Sequence, residues 1–399
     1  MTIDWEPHAE EFRLNPYPLY RQLRDEMPLY HNEQRGFYAL TRFDDCWNAL
    51  VDPKRFSSAD GVSLEKYEVG QKLMILMDPP RHTWHRKVMS HMFTPRVIAN
   101  LEPGIRATCV QLLDDLRDRD EFDVVEDFSM LLPLFVIAEL IGLPDEYRLT
   151  AKRLSHLTAQ RVSSNAAPEA AIAASLELND YLLQETKRRR RNLGDDLIST
   201  IMTTPMIDDT GAEHYLDDEQ IAAFFFEFTF AGNDTTTRSI ANGVVGLAWY
   251  PDQRRELVDD LSLVPNGVEE LVRWDTPSHY LGRTTTEDVE LPYGTIPAGS
   301  TVAVVLAAAN HDERMYEEPE LLDIRRRFDR KLAFGIGPHV CIGAALARLE
   351  LRIAFEEFLR RFHDFHVADT GCVQDMSGQN RGLFHLPLVI DRASTQVSA

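Results

Sequence analysis

A mainly α-helical protein with a few small β-sheets, organised as one large domain around a long central helix, is what this sequence predicts. Three observations carry that prediction. Helical periodicity covers most of the chain, and strand-like alternation is confined to Leu29–Thr41, Arg283–Leu306 and roughly Phe365–Ile390. One helical pattern runs on for over thirty residues.

The first strand region leads into a helical pattern without a Gly/Ser linker, and no repeat or low-complexity tract divides the chain. The most apolar stretch, Phe128–Leu143, contains Pro133 and Glu139 and falls short of a membrane span. The long helix starts at Asp217, with Gln220 three residues later as in a capping box, and its pattern continues to Tyr250 before Pro251. At about 1.5 Å per residue it reaches roughly 50 Å, enough to cross the molecule. Its middle, Ala231-Gly232-Asn233-Asp234-Thr235-Thr236-Thr237, is polar and built from poor helix formers. A patch of that kind inside an apolar helix marks function; the bland alternatives are a solvated stretch or a packing glycine. In the second strand region, Pro292–Gly294 and Pro297–Gly299 separate short apolar runs as turns do.

Charge and cysteine usage exclude several classes. The 399 residues hold 42 Lys and Arg against 64 Asp and Glu, a net charge of −22. Phosphate backbones and anionic lipid repel such a chain, so neither nucleic acid nor a membrane surface is an expected partner. Two basic runs, Lys187–Arg191 and Arg325–Lys331, are the local exceptions. Cys46, Cys109, Cys341 and Cys372 are too scattered for a disulfide framework and form no C-x-x-C pair. The first residues lack a basic and an apolar region of the secretory kind, so a cytoplasmic protein without a membrane anchor is expected.

Chemistry concentrates in Phe334–Gly343, where Gly335 and Gly337 permit a tight turn and a helical pattern begins just past Cys341. A thiol at a helix N-terminus is expected to have a lowered pKa. Cys341 alone fits a nucleophile, a redox sensor, a metal ligand or a buried structural cysteine.

Taken together, however, these residues resemble the cytochrome P450 haem-thiolate monooxygenases. Phe334 to Gly343 matches the family's F-x-x-G-x-x-x-C-x-G signature at every fixed position. Ala231–Thr236 is similar to its A-G-x-[DE]-T-T, Glu270–Arg273 to its E-x-x-R, and Asp78–Arg86 to the start of its C helix. E-x-x-R alone is weak, since it occurs four times here, but the ordered set spans residues 12–390 and resembles a soluble bacterial type.

That resemblance implies a cytochrome P450 fold, haem b and O2 chemistry, with a role for each matching residue. Cys341 would be the axial thiolate and metal ligand, Phe334 would pack beside its sulfur, and Gly343 would let the helix approach the porphyrin. His82, Arg86, Arg283 and His339 match propionate-binding positions, and Ala231 lies beside the haem and the pocket. Asp234 and Thr235 would deliver the protons that O2 reduction needs, with Thr236 supporting a helix distortion at Gly232. Glu270, Arg273 and Arg326 resemble a structural ion network; Arg325 and Arg327 flank the last and leave its register open. Where the family has Ala-Asn-Arg-Asp, this chain reads Ala309-Asn310-His311-Asp312.

The expected activity is hydroxylation of a small apolar substrate, with electrons from a separate ferredoxin or flavodoxin and its NAD(P)H-dependent reductase. The alternatives are peroxide-driven or non-oxygenating haem-thiolate chemistry, a haem-based sensor, and a helical scaffold without cofactor. Arg325, Arg326, Arg327, Arg330 and Lys331, joined by Arg81, Lys87 and Arg96, would form a positive patch for the electron donor. The expected pocket comprises Glu227, Phe230, Ala231, His279, Leu281 and Phe384. Glu227 shares a helix face with Ala231 and Thr235, so one reading has it meet a polar group of the substrate, or His279; the other has the helix rotated and Glu227 paired with a neighbouring helix or with water.

Overall fold

The computed structural model describes residues 4–64, 73–143, 154, 169–194, 197–375 and 378–392. The central helix, Asp218–Trp249, organises them. Its capping box forms as the spacing predicts: Gln220 N donates to Asp217 Oδ1 (2.6 Å), and Asp217 N donates to Gln220 Oε1 (2.9 Å). Two free N–H groups are thereby satisfied at the start. Pro251 ends the helix at Tyr250 and opens the next one, Pro251–Asp259. Between Asn233 and Leu247 nearly every residue is buried, so this half runs through the core.

Around it pack Leu131–Leu140, Glu169–Arg190, Val264–Trp274 and Ala344–Arg361. Leu131–Leu140 belongs to the expected apolar stretch and is buried on almost all sides. Among the described residues no helix is long and apolar enough to cross a membrane.

The three alternating regions all form strands. A five-stranded sheet runs in the order Leu29–Asn32, Phe37–Leu40, Thr301–Val304, Leu281–Thr285, Phe56–Ser57. Only the Phe37–Leu40/Thr301–Val304 pair is parallel, with Phe37 opposite Thr301. Phe365–Val367, Pro387–Ile390 and Glu121–Asp123 make a second sheet. Periodicity does not reveal Phe56–Ser57 or Glu121–Asp123, because two or three residues carry no period.

The Glu270–Arg273–Arg326 network forms, and the register of its third member is resolved. Arg273 Nε and Nη2 donate to Glu270 Oε2 (2.7 Å) and Oε1 (2.8 Å), and Arg326 Nε reaches the same carboxylate at 3.1 Å. The remaining N–H groups go to the carbonyls of Asn310, Pro319 and Leu321 from Arg273, and of Glu317 and Glu318 from Arg326. The Val264–Trp274 helix and the 310–326 segment are thus tied to one buried carboxylate. Arg325 points outward to Glu256. His311 stacks on Tyr17 at 4.3 Å and meets Trp274 O and Glu320, so the departure at this position is absorbed locally.

Arg326→Ala should therefore destabilise the folded protein by roughly 1.5–3 kcal/mol, because Glu270 loses a charge-assisted hydrogen bond while Arg273 still neutralises it. Arg325→Ala, which loses an exposed pair, should cost about 0–1 kcal/mol. Denaturant unfolding of both variants checks this; equal losses would place the network elsewhere.

Candidate active site

Cys341 sits at the end of a loop whose backbone the sequence dictates. Gly335 and Gly337 take φ of +67° and +75°, as the tight turn requires. At Gly337 a Cβ would lie 2.4 Å from the Leu50 carbonyl, so no other residue fits there. The turn is closed by Cys341 N donating to Phe334 O (2.9 Å) and Val340 N to Gly337 O (3.1 Å). Gly343 then caps the helix Ala344–Arg361. A Cβ on Gly343 meets no protein atom nearer than the Phe93 ring, at 3.9 Å, which leaves this side open to a close ligand. The Arg348 guanidinium lies over the Phe334 ring at 4.2 Å.

One expectation about the thiol is reversed. Cys341 has exposed surface, yet it lies among enough protein atoms that desolvation pushes its thiol up. The Gly343 amide, Arg86 and Arg348 pull the other way and do not prevail. The thiolate at this position therefore depends on a cationic ligand such as a metal ion.

Facing the loop are four nitrogen side chains without carboxylate partners. Both ring nitrogens of His82 are buried and unpaired, and its ring lies 4.0 Å from that of His339. Arg283 is buried and, among the described residues, donates only to the carbonyl of its neighbour Gly282 (2.6 Å). Arg86 Nη2 donates to Val340 O (2.6 Å), which joins the Arg81–Met89 helix to the cysteine loop. Burial pulls Arg283 down to about 10, His82 to about 4 and His339 to about 3. Asp78 acts favourably on Arg283 but is itself tied to Ser57 Oγ and Ser58 N. Among the described residues neither Arg86 nor Arg283 forms an ion pair. One buried and one half-buried guanidinium without acids among the described residues, with two imidazoles beside an open cysteine, fit an iron-bearing ligand with two carboxylates.

The central helix passes the same region. It is unbroken through Ala231–Thr237, so the expected distortion at Gly232 is absent; Thr236 is buried in the helix packing. Thr235 Oγ1 donates back to Ala231 O (2.8 Å), where the hydroxyl adds to helical bonding without breaking it. Asp234 is held by Arg238 Nε and Nη2 at 2.9 and 2.7 Å and by Asn380 Nδ2 at 3.0 Å. Phe230 and Phe384 line a cavity of about 40 Å³ with Asp234 and Arg238.

Three of the expected pocket residues meet protein groups. The Glu227 carboxylate accepts from Met74 N (2.9 Å) and Ile75 N (3.1 Å), and burial pushes it up to about 7. A protein partner therefore already meets its polarity, and that partner is not His279. His279 instead packs among Tyr17 and Tyr20, with Nδ1 3.0 Å from Tyr20 Oη, and Leu281 packs against the core beneath the five-stranded sheet. In an aromatic cluster the imidazole finds a hydroxyl partner that linear spacing does not reveal.

A profile of the family described as Cytochrome P450 matches residues 161–388. The putative cytochrome P450 123 of Mycobacterium tuberculosis is 38% identical over 394 residues, covering 96% of each chain. The chain belongs to the cytochrome P450 family. Its cofactor is haem b, and its class of activity is monooxygenation with O2. The solved P450 CYP109Q5 from Chondromyces apiculatus is 33% identical, with a TM-score of 0.88 over 98% of this chain and 99% of its own. CYP109E1 from Bacillus megaterium, solved in complex with corticosterone, is 29% identical with a TM-score of 0.85, covering 96% and 100%.

Several groups of this P450 were not visible from motifs. Arg238 and Asp375 complete the surroundings of Asp234, and their pairing needs a contact across 137 positions. Glu350, nine residues past Cys341, is buried with Oε2 unpaired, and burial pushes it up to about 8. Only the fold shows that a helical glutamate faces inward.

Because Glu350 keeps its proton when the unfolded chain has lost it, stability should fall as pH rises from about 4.5 to about 8 and then level off. Glu350→Gln should remove that slope and gain roughly 1–3 kcal/mol at pH 8, with no gain near pH 4. Unfolding measured across this range checks it; parallel curves would show that Glu350 ionises normally.

Proposed function

We propose that this P450 hydroxylates a small, largely apolar substrate, taking two electrons from a separate ferredoxin or flavodoxin served by an NAD(P)H-dependent reductase. The observation that supports this reading most is the open Cys341 facing buried Arg283 and His82 and half-buried Arg86 and His339, none of them paired with an acid among the described residues. Cys341 would ligate the haem iron, and the four nitrogen side chains would hold its propionates. When bound, haem supplies O2 activation, with the thiolate donating electron density toward O–O cleavage.

The protein's own part is position and protons. One oxygen atom enters the substrate and the other leaves as water, so each turnover consumes two electrons and two protons. Thr235 lies one turn past Ala231 and would face the haem; its hydroxyl, on leaving the Ala231 carbonyl, could donate to one water while accepting from another. Asp234, next in sequence, would carry protons from solvent toward that hydroxyl. Water is kept from the substrate by aromatic walls, where Phe228 stacks on Phe93 at 4.8 Å and meets Phe224 at 4.4 Å. The steroid bound by CYP109E1 supports an apolar substrate of comparable size.

The donor surface is smaller than the linear sequence implies. Arg325 pairs with Glu256, Arg326 is taken by Glu270, Arg330 pairs with Asp44 and Lys331 with Glu269. Four of the five cations before the cysteine loop are thus neutralised locally. Arg81, Lys87 and Arg96 remain exposed on the helices flanking Arg86, with no ion pair among the described residues.

In the carbon monoxide complex of the reduced protein, Cys341→Ala should abolish the strongly red-shifted absorbance. Cys46→Ala, Cys109→Ala and Cys372→Ala should retain it; loss from any of these with Cys341→Ala intact would overturn the assignment. Reduction by an acidic ferredoxin at low salt should slow about tenfold in Lys87→Glu and hardly change in Arg330→Glu. Equal effects, or none in either, would remove this surface from donor binding.

A further inference from the structure

We propose that Asp375 is a positioning residue for proton delivery: it shares the buried Arg238 guanidinium with Asp234 and so lets Asp234 leave it. The inference rests on Asp234 and Thr235 being the proton-delivering pair.

Arg238 is placed one turn after Asp234 and is almost wholly buried, with 4% of its side chain exposed. It grips Asp234 through Nε and Nη2, which occupies both carboxylate oxygens, and Asn380 adds a third donor. Its remaining nitrogen, Nη1, meets Asp375 Oδ2 as an ion pair without hydrogen-bond alignment. The Asp375 side chain is fully buried. Its backbone N donates to Gly382 O (3.0 Å), and a Cβ on Gly382 would lie 2.6 Å from Arg238 Cγ. Glycine at 382 therefore lets this segment press on the arginine stem and fix it.

A carboxylate that shuttles protons cannot stay locked in a two-point grip. If Asp234 were the only counterion, its departure would strand a buried cation, which is strongly unfavourable. With Asp375 in place the guanidinium stays neutralised, and two carboxylates competing for one cation weaken the hold on each. The misaligned Nη1 contact leaves Asp375 room to improve its geometry when Asp234 turns away. The cavity of about 40 Å³ beside Asp234 and Arg238 is large enough for water, and a second of about 20 Å³ is lined by Asp375 and Asn380. In the step inferred, Asp234 takes a proton from a hydronium ion supplied by solvent, which becomes water, and leaves Arg238. It gives that proton to the Thr235 hydroxyl or its water, which passes its own onward, and Asp234 returns as a carboxylate.

Asp375→Asn and Asp375→Ser remove the competing charge, and Asp375→Glu keeps it. In the haem-loaded protein, three quantities distinguish positioning from mere structure. These are the carboxylate infrared band assigned by its loss in Asp234→Asn, the solvent isotope effect on substrate oxidation, and the share of electrons released as peroxide. With Asn or Ser the Asp234 band should shift to that of a single tight pair and the isotope effect should rise. Peroxide release should grow about tenfold, less than the roughly 10²–10⁴ in rate carried by an acid–base group itself. Glu should restore all three. Asn or Ser variants that change the melting temperature but none of these readouts, or a Glu variant as impaired as Asn, would overturn the proposal. If Asp234→Asn itself leaves coupling intact, the reading of the Asp234–Thr235 pair fails instead, and the two failures are told apart.

Discussion

Among the described residues, buried Arg283 makes one side-chain hydrogen bond, to the carbonyl of the residue before it, in a chain whose acids outnumber its bases. A buried guanidinium without a counterion is costly, and 64 acidic residues make a partner easy to supply. Withholding one here, and leaving both nitrogens of His82 unpaired beside it, makes sense only if an acidic ligand completes the site. The open cysteine, the glycine at 343 and the Arg86 link to the Val340 carbonyl are arranged around the same place. Haem would answer all of them: its propionates would meet the cations, and its iron would meet the thiol, whose pKa burial pushes up.

Among the described residues the other buried guanidiniums all have a carboxylate partner, which sharpens the contrast. Arg273 and Arg326 share Glu270 and send their remaining N–H groups to carbonyls, so that network is closed and structural. Arg24, also wholly buried, meets Glu313 and the Ala308 carbonyl. Arg238 is intermediate, since it has two carboxylates and one of them is Asp234. Full pairing suits a scaffold, a shared partner suits a group that moves, and none suits a site awaiting a charged ligand.

Much of this was legible in the sequence, for identifiable reasons. The central helix was readable because its caps are local: Asp217, Gln220 and Pro251 act within four residues of themselves. The cysteine loop was readable because its positive-φ glycines and the cysteine are contiguous. Side-chain direction was less so. Glu227 shares the helix face of Thr235 as the period of 3.6 requires, but its partners are amides near residue 75, some 150 positions away. His279 turned to Tyr20, and the basic run 325–331 was mostly neutralised by Glu256, Glu269, Glu270 and Asp44, all distant in sequence. A charge run shows how many charges lie together, not which of them the fold leaves free.

The central claim is that Arg283 is stabilised by the ligand and not by the protein. Unfolding free energies of haem-free and haem-loaded wild type and Arg283→Leu test it most directly. Removing an uncompensated cation should leave the haem-free protein unchanged or more stable, while the haem-loaded protein should lose stability by roughly 1–3 kcal/mol as a charge-assisted hydrogen bond disappears. Equal destabilisation of both forms would show that Arg283 serves the fold itself, and would contradict the account.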